Sequence, residues 1–248
     1  MVYVHPKPPE EELPALYGEY HGRDGGEEAG WNRLMGEIFR EAADHLDALR
    51  NGSGPPRLLD VGCGYGGFVS LMRDRGWDAE GIDPSPETVA AASAKGIPVR
   101  LETLDEFSRS GAAYGAITMF DVLEHLFDPM SALRKVFALL EPGGVLLVRV
   151  PDTTPVVRLL SPFGLGSGLY DPPFHLFDFP PRVLTMMLAE AGFGKIRTFP
   201  GRNTTPPRIA PRLATMLFGA LARGLFAGSG GRILLPGVSK TTIARKPS

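Results

Sequence analysis

The chain has 248 residues, 43% of them hydrophobic, a single cysteine and a formal net charge of −2. That length holds one α/β domain with attachments and is short for two full domains. The near-neutral charge argues against a nucleic-acid binder, and one cysteine excludes a disulfide framework and suits a reducing, cytoplasmic setting. No stretch reaches the roughly 20 apolar residues of a membrane span.

Charge is unevenly spread. After Glu190 there is no acid, while Lys195, Arg197, Arg202, Arg208, Arg212, Arg223, Arg232, Lys240, Arg245 and Lys246 follow. Such asymmetry suits either an anionic partner or packing of the basic tail on its own acidic half.

In chain order, MVYVHPKPPEEELP is acidic and proline-rich with no apolar centre, so it does not read as a signal peptide. Residues 1–29 read as loop, apart from a short helix near Leu16–Tyr20. From Trp31, apolar residues at Leu34, Met35, Ile38, Phe39, Ala42, Leu46 and Leu49 form a helical stripe that Asn51-Gly52 ends. Residues 1–54 are therefore expected to form an arm and a cap helix before a main domain over 55–248. Alternating units follow: strand 57–61, helix 66–76, strand 78–82, helix 86–95 and strand 97–100. Next come strand 115–120, helix 129–141, strand 145–150, helix 181–191 and strands at 194–199 and 239–245. Helices alternating with strands at this spacing predict a Rossmann-like α/β fold, mostly parallel, with helices on both faces. Two long segments, 152–180 and 200–239, interrupt the pattern and read as substrate-shaping insertions.

The densest signal is RLLDVGCGYGGFVSLMRDRGWDAEGID at 57–83. A strand enters a turn with Gly62, Gly64, Gly66 and Gly67, a helix follows, and a second strand ends in Asp83. Glycines there let a ligand approach the backbone, and an acid about 20 residues on can accept ribose hydroxyls. Asp60, beside the loop, would repel a pyrophosphate and suit a cationic or amino-bearing ligand. Cys63 lies inside the loop and reads as a small structural residue, not a nucleophile. On these residues alone a dinucleotide dehydrogenase and a non-catalytic binding module remain alternatives.

Taken with TMFDVLEHLFDP at 118–129, LLEPGGVLLVRVPD at 139–152 and KTTIARKP at 240–247, this unit resembles the class I S-adenosylmethionine-dependent methyltransferases. The similarity is greatest to the small-molecule branch that includes the ubiquinone-biosynthesis O-methyltransferases, and it covers about residues 55–200. The resemblance implies seven strands in the order 3-2-1-4-5-7-6 with strand 7 antiparallel. It implies S-adenosylmethionine as cofactor and methyl transfer, to a hydroxyl more than to carbon or nitrogen, by in-line displacement. It also implies that Asp60, Gly62 and Gly64 meet the amino-acid part and sugar, Asp83 the ribose, Thr103 and Leu104 the adenine, and Phe120 and Asp121 the methionine portion.

His125 and His175 are the candidate general bases, because imidazole can take a hydroxyl proton near neutral pH. Asp121, Glu124 and His125 share one face if their segment is helical, and an acid-x-x-Glu-His group of this kind is associated with a divalent metal in the resembled branch. Asp in place of Glu at position 121 shortens the reach, so no metal is expected. Between 208 and 228, Leu213, Met216, Leu217, Ala220, Leu221 and Leu225 make a helical stripe among arginines. It suits covering an apolar acceptor, lying on an anionic surface, pairing with another subunit or packing on the core. The acceptor is expected to be a small, apolar molecule; the oligomeric state is left open.

Overall fold

The computed structural model describes residues 2–3, 28–50, 56–154, 157–158, 162, 175–202, 209–236 and 239–248. In chain order the elements are β1 (Val2–Tyr3), α1 (Glu28–Ala48), β2 (Arg57–Val61), α2 (Gly67–Asp74), β3 (Asp78–Asp83), α3 (Pro86–Ser93) and β4 (Val99–Leu101). Then come α4 (Leu104–Phe107), β5 (Tyr114–Phe120), α5 (Pro129–Leu139), β6 (Leu140–Val150), β7 (Phe177–Asp178), α6 (Pro181–Glu190), β8 (Gly194–Pro200), α7 (Ile209–Gly228) and β9 (Lys240–Arg245).

Seven strands form one sheet in the order β4-β3-β2-β5-β6-β9-β8. β4, β3, β2, β5 and β6 pair in parallel, and β9 runs antiparallel to both β6 and β8. This is the implied order with its antiparallel last strand. Adjacent residues on each central strand point to opposite faces, so both faces need apolar cover. Leu58, Ala116 and Leu147 pack with Met35 and Leu46 of α1 and Phe68 and Met72 of α2. Their neighbours Leu59, Ile117 and Leu146 pack with Phe107, Leu133 and Leu184 from α4, α5 and α6. The central runs of β2, β5 and β6 are largely apolar for this reason.

Local signals set the helix starts. Ser85 caps α3, with Pro86 at the first helical position, where its missing N–H costs nothing. Asp128 caps α5 by accepting the Ser131 N–H at 2.9 Å, with Pro129 next. α1 is clamped beside α2 where Asp47 accepts from Trp77 Nε1 at 2.8 Å and from Arg75 at 2.9 Å.

Three elements differ from the sequence reading. α5 ends at Leu139 instead of at 141, and β6 begins at Leu140 instead of at 145, so that Pro142-Gly143-Gly144 lies inside β6 as an irregularity. It is absorbed there because the Gly143 N–H donates to the Lys246 carbonyl at 3.1 Å and Arg245 donates back to the Gly143 carbonyl at 3.1 Å. The start of the arm is not loop: β1 pairs antiparallel with β7, Val2 opposite Asp178 and Tyr3 opposite Phe177. The helix expected near Leu16–Tyr20 lies outside the described residues, as does most of segment 152–180. Finally, Leu123–His125 is a single 3₁₀ turn, too short to carry a helical face.

Candidate active site

The carboxyl ends of β2, β3, β4 and β5 converge on the glycine loop. Gly62, Gly64 and Gly66 all have positive φ (71°, 51° and 72°), a region where a side chain is strained. They differ in surroundings. A Cβ on Gly62 would stand 2.4 Å from Val122 Cγ2, whereas one on Gly64 would meet nothing within 4 Å among the described residues. Gly62 is thus demanded by the fold, whereas no described neighbour excludes a side chain at Gly64. Cys63 is buried with its thiol pKa pushed up, chiefly by burial, and it packs where a Cβ on Gly81 would clash with it at 2.6 Å. It is the structural residue its position suggested.

Asp60 is buried beside the loop and accepts a 2.6 Å hydrogen bond from the Thr118 hydroxyl of β5. Burial raises its pKa to about 7, the Thr118 bond opposes the rise, and the charge of Asp83 adds to it. Asp83 is also buried. Its Oδ2 accepts from Gly64 N–H at 2.8 Å, and its Oδ1 accepts from Ser85 N–H at 2.9 Å and the Thr88 hydroxyl at 3.1 Å. A carboxylate has about four acceptor sites. Asp83 therefore fastens the loop to the start of α3 and keeps room for one further donor, where the sequence reading gave it two ribose hydroxyls.

Thr103 and Leu104 follow β4, whose last residue, Leu101, is paired with Asp83. Their side chains carry structure. The Thr103 hydroxyl and N–H form a capping box with Glu106, and Leu104 is buried in the core. Phe120 is buried as well, its ring edge-on to Phe68 at 4.8 Å and to Phe39 at 5.2 Å.

Asp121 departs from the expected grouping. It has a left-handed backbone (φ 53°), which Asp tolerates, and its carboxylate is ion-paired with the buried guanidinium of Arg149 on β6. Its place beside Glu124 and His125 is taken by His175. Donor atoms of Glu124, His125 and His175 all lie within 4.8 Å of one another, and the two imidazoles meet edge-to-face at 4.8 Å between centroids. The tie is the Leu176 N–H, which donates to the Glu124 carbonyl at 2.9 Å. Glu124 is fully buried, and neither carboxyl oxygen has a hydrogen-bond partner among the described residues. Burial first, and the negative charge of Asp121 next, push its pKa well above that of an ordinary glutamate, which favours the protonated carboxyl. Two imidazoles and a carboxyl are also a donor set of the type that suits a divalent ion.

Two residues outside the expected list shape this end of the sheet. Asp178 of β7 accepts from the backbone and hydroxyl of Thr153 and from the Thr154 N–H at 2.8–3.0 Å, fastening the start of the 152–180 insertion next to His175. Lys240 is buried against Asp152 at 3.2 Å. Neither carried a local sequence signal, because both act across long chain separations.

The comparisons agree with this architecture. The methyltransferase domain profile matches residues 34–197. A probable S-adenosylmethionine-dependent methyltransferase of Mycolicibacterium smegmatis is 30% identical over 190 residues, 75% of this chain and 68% of that protein. A ubiquinone biosynthesis O-methyltransferase of Psychrobacter arcticus is 29% identical over 61% of this chain, which spans 64% of that relative's length. The solved magnesium protoporphyrin IX methyltransferase of Synechocystis, with bound S-adenosylhomocysteine, superimposes with a TM-score of 0.60 at 18% identity, covering 94% of this chain and 99% of its own. With a profile match over most of its length and the seven-stranded order in place, the chain belongs to the class I S-adenosylmethionine-dependent methyltransferases.

Proposed function

We propose that the enzyme transfers the methyl group of S-adenosylmethionine to a hydroxyl of a small, apolar acceptor. The observation that carries this reading is the pairing of His125 with His175 over the buried Glu124, beside the glycine loop that Val122 contacts at Gly62. The hydroxyl oxygen attacks the methyl carbon, the C–S bond breaks with its electron pair going to sulfur, and the hydroxyl proton passes to imidazole. The sulfonium is already an activated donor, so in-line positioning supplies much of the acceleration and the base the remainder. His175, the more exposed of the two imidazoles, takes the proton. His125 orients it.

In this reading Asp60 faces the cofactor's amine, Gly62 and Gly64 admit its amino-acid part and sugar, and Asp83 takes a ribose hydroxyl. The backbone at Thr103 and Leu104 borders the adenine, and Phe120 and Asp121 border the methionine portion. The likeness to a ubiquinone biosynthesis O-methyltransferase supports oxygen as the target and an apolar acceptor. The test is turnover with methyl-labelled cofactor against matched phenols, catechols and amines. Methylated phenol or catechol is the expected product. Transfer to amines alone would overturn the choice of oxygen.

A second reading rests on the buried carboxyl of Glu124, unpartnered among the described residues. Glu124, His125 and His175 would hold a divalent ion, which when bound would acidify an acceptor hydroxyl. Chelation separates the two readings.

A further inference from the structure

α7 presents its large side chains to the outside. Gly219 and Ala222 are buried, whereas Leu213, Met216, Leu217, Phe218, Leu221 and Leu225 are exposed, Leu217 by 72% and Leu221 by 53%. The buried residues are small because the helix lies close on the edge strand β8. Its twenty residues include no Asp, Glu or Lys and only two arginines, Arg212 and Arg223. Exposed Lys195 and Arg197 on β8 and exposed Arg232 just beyond the helix add positive charge, and no acid follows Glu190. An apolar face of this size on an exposed helix marks an interaction surface.

Three occupants can be weighed. An acceptor at the glycine loop does not fit, because β9, β6 and β5 stand between β8 and β2 in the sheet and the stripe points outward. A second copy placed by two-fold symmetry would lay the same basic tail on itself. An anionic bilayer meets both features: apolar side chains enter the acyl boundary while arginine and lysine stay at the headgroups. No described helix is long and apolar enough to cross a membrane, so this contact is a surface one.

We propose that α7 seats the enzyme on anionic phospholipid bilayers. The contact is independent of the chemistry at the glycine loop. The test is co-sedimentation of the full chain with phosphatidylcholine vesicles, with and without phosphatidylglycerol, alongside calorimetry with S-adenosylhomocysteine. Binding is expected only with phosphatidylglycerol, and it should weaken about tenfold or more as salt rises from roughly 0.1 to 0.5 M. The double variant Leu217→Asp/Leu221→Asp should lose vesicle binding about tenfold or more while keeping its affinity for S-adenosylhomocysteine. Arg232→Glu should weaken vesicle binding with no change in that affinity. Failure of the intact chain to sediment overturns the proposal, as does equal binding to neutral vesicles. A dimer in ultracentrifugation that the double variant dissociates would assign the face to a second copy instead.

Discussion

On the proposed placement of Asp60 at the cofactor's amine, cofactor binding should depend on pH in a direction set by the burial of that carboxyl. Its pKa in the ligand-free fold is about 7, against 3.8 for an unperturbed aspartate. A carboxyl whose folded pKa is raised binds its proton more tightly in the native state. The ligand-free protein therefore loses stability from this group as pH rises from about 3.8 to about 7, and ionised Asp60 carries the full cost above that. The cationic amine of the cofactor reverses the balance, because it favours the carboxylate. Binding then requires the proton to leave. For one group titrating near 7, affinity at pH 6 should be about tenfold weaker than at pH 8, or about 1.4 kcal/mol. Calorimetry with S-adenosylhomocysteine from pH 5.5 to 8.5, in buffers of differing ionisation heat, measures both the affinity and the protons released. Asp60→Asn should flatten the profile and weaken binding at pH 8 by about 1.5–3 kcal/mol, the range for a hydrogen bond to a charged group. An affinity that stays level, or rises toward acid pH in the intact protein, refutes the assignment of Asp60 to the amine.

The loop glycines should separate by their surroundings: Gly62→Ala, clashing with Val122, should destabilise the fold by more than about 2 kcal/mol in thermal unfolding. Gly64→Ala should cost about 1 kcal/mol of stability yet abolish S-adenosylhomocysteine binding in calorimetry, and retained binding would remove that residue from the site. If Glu124 is a neutral positioning group, Glu124→Gln should keep most activity and exhaustive chelation should leave turnover intact; loss in both, with recovery on adding magnesium, would show a metal instead. His175→Ala should lower kcat about 10²- to 10⁴-fold with cofactor affinity unchanged, and a shift of affinity in step with kcat would contradict its role as base. Thr103→Ala should cost about 1 kcal/mol of stability through its lost cap and spare cofactor affinity, which calorimetry can check.

Much of the sheet is legible in the sequence because its strands are covered on both faces. Short runs such as LLDV and VLLVRV, bounded by turn residues, read as buried strands, and the glycine loop between a strand and a helix marks a nucleotide-type site without fixing its ligand. What escaped the reading depends on long-range contact. The meeting of His175 with His125 rests on one backbone bond, Leu176 to Glu124, across about fifty residues. The diversion of Asp121 to Arg149 depends on the register of β5 against β6, in which Phe120 is opposite Arg149. Two-residue strands such as β1 and β7 are too short for any periodic signal. The spacing marks α7 as a helix with an apolar stripe but leaves open which way the stripe faces, because Gly219 and Ala222, on a second, small-residue face, are the residues that pack on β8.

A crystal structure with S-adenosylhomocysteine bound is the most direct measurement of the central claim. The ligand should lie along Gly62–Gly64 with its amine toward Asp60, a ribose hydroxyl on Asp83, and its sulfur on the side of the site where His175 stands. Product bound away from the glycine loop, or with its sulfur turned from the two histidines, would contradict the account.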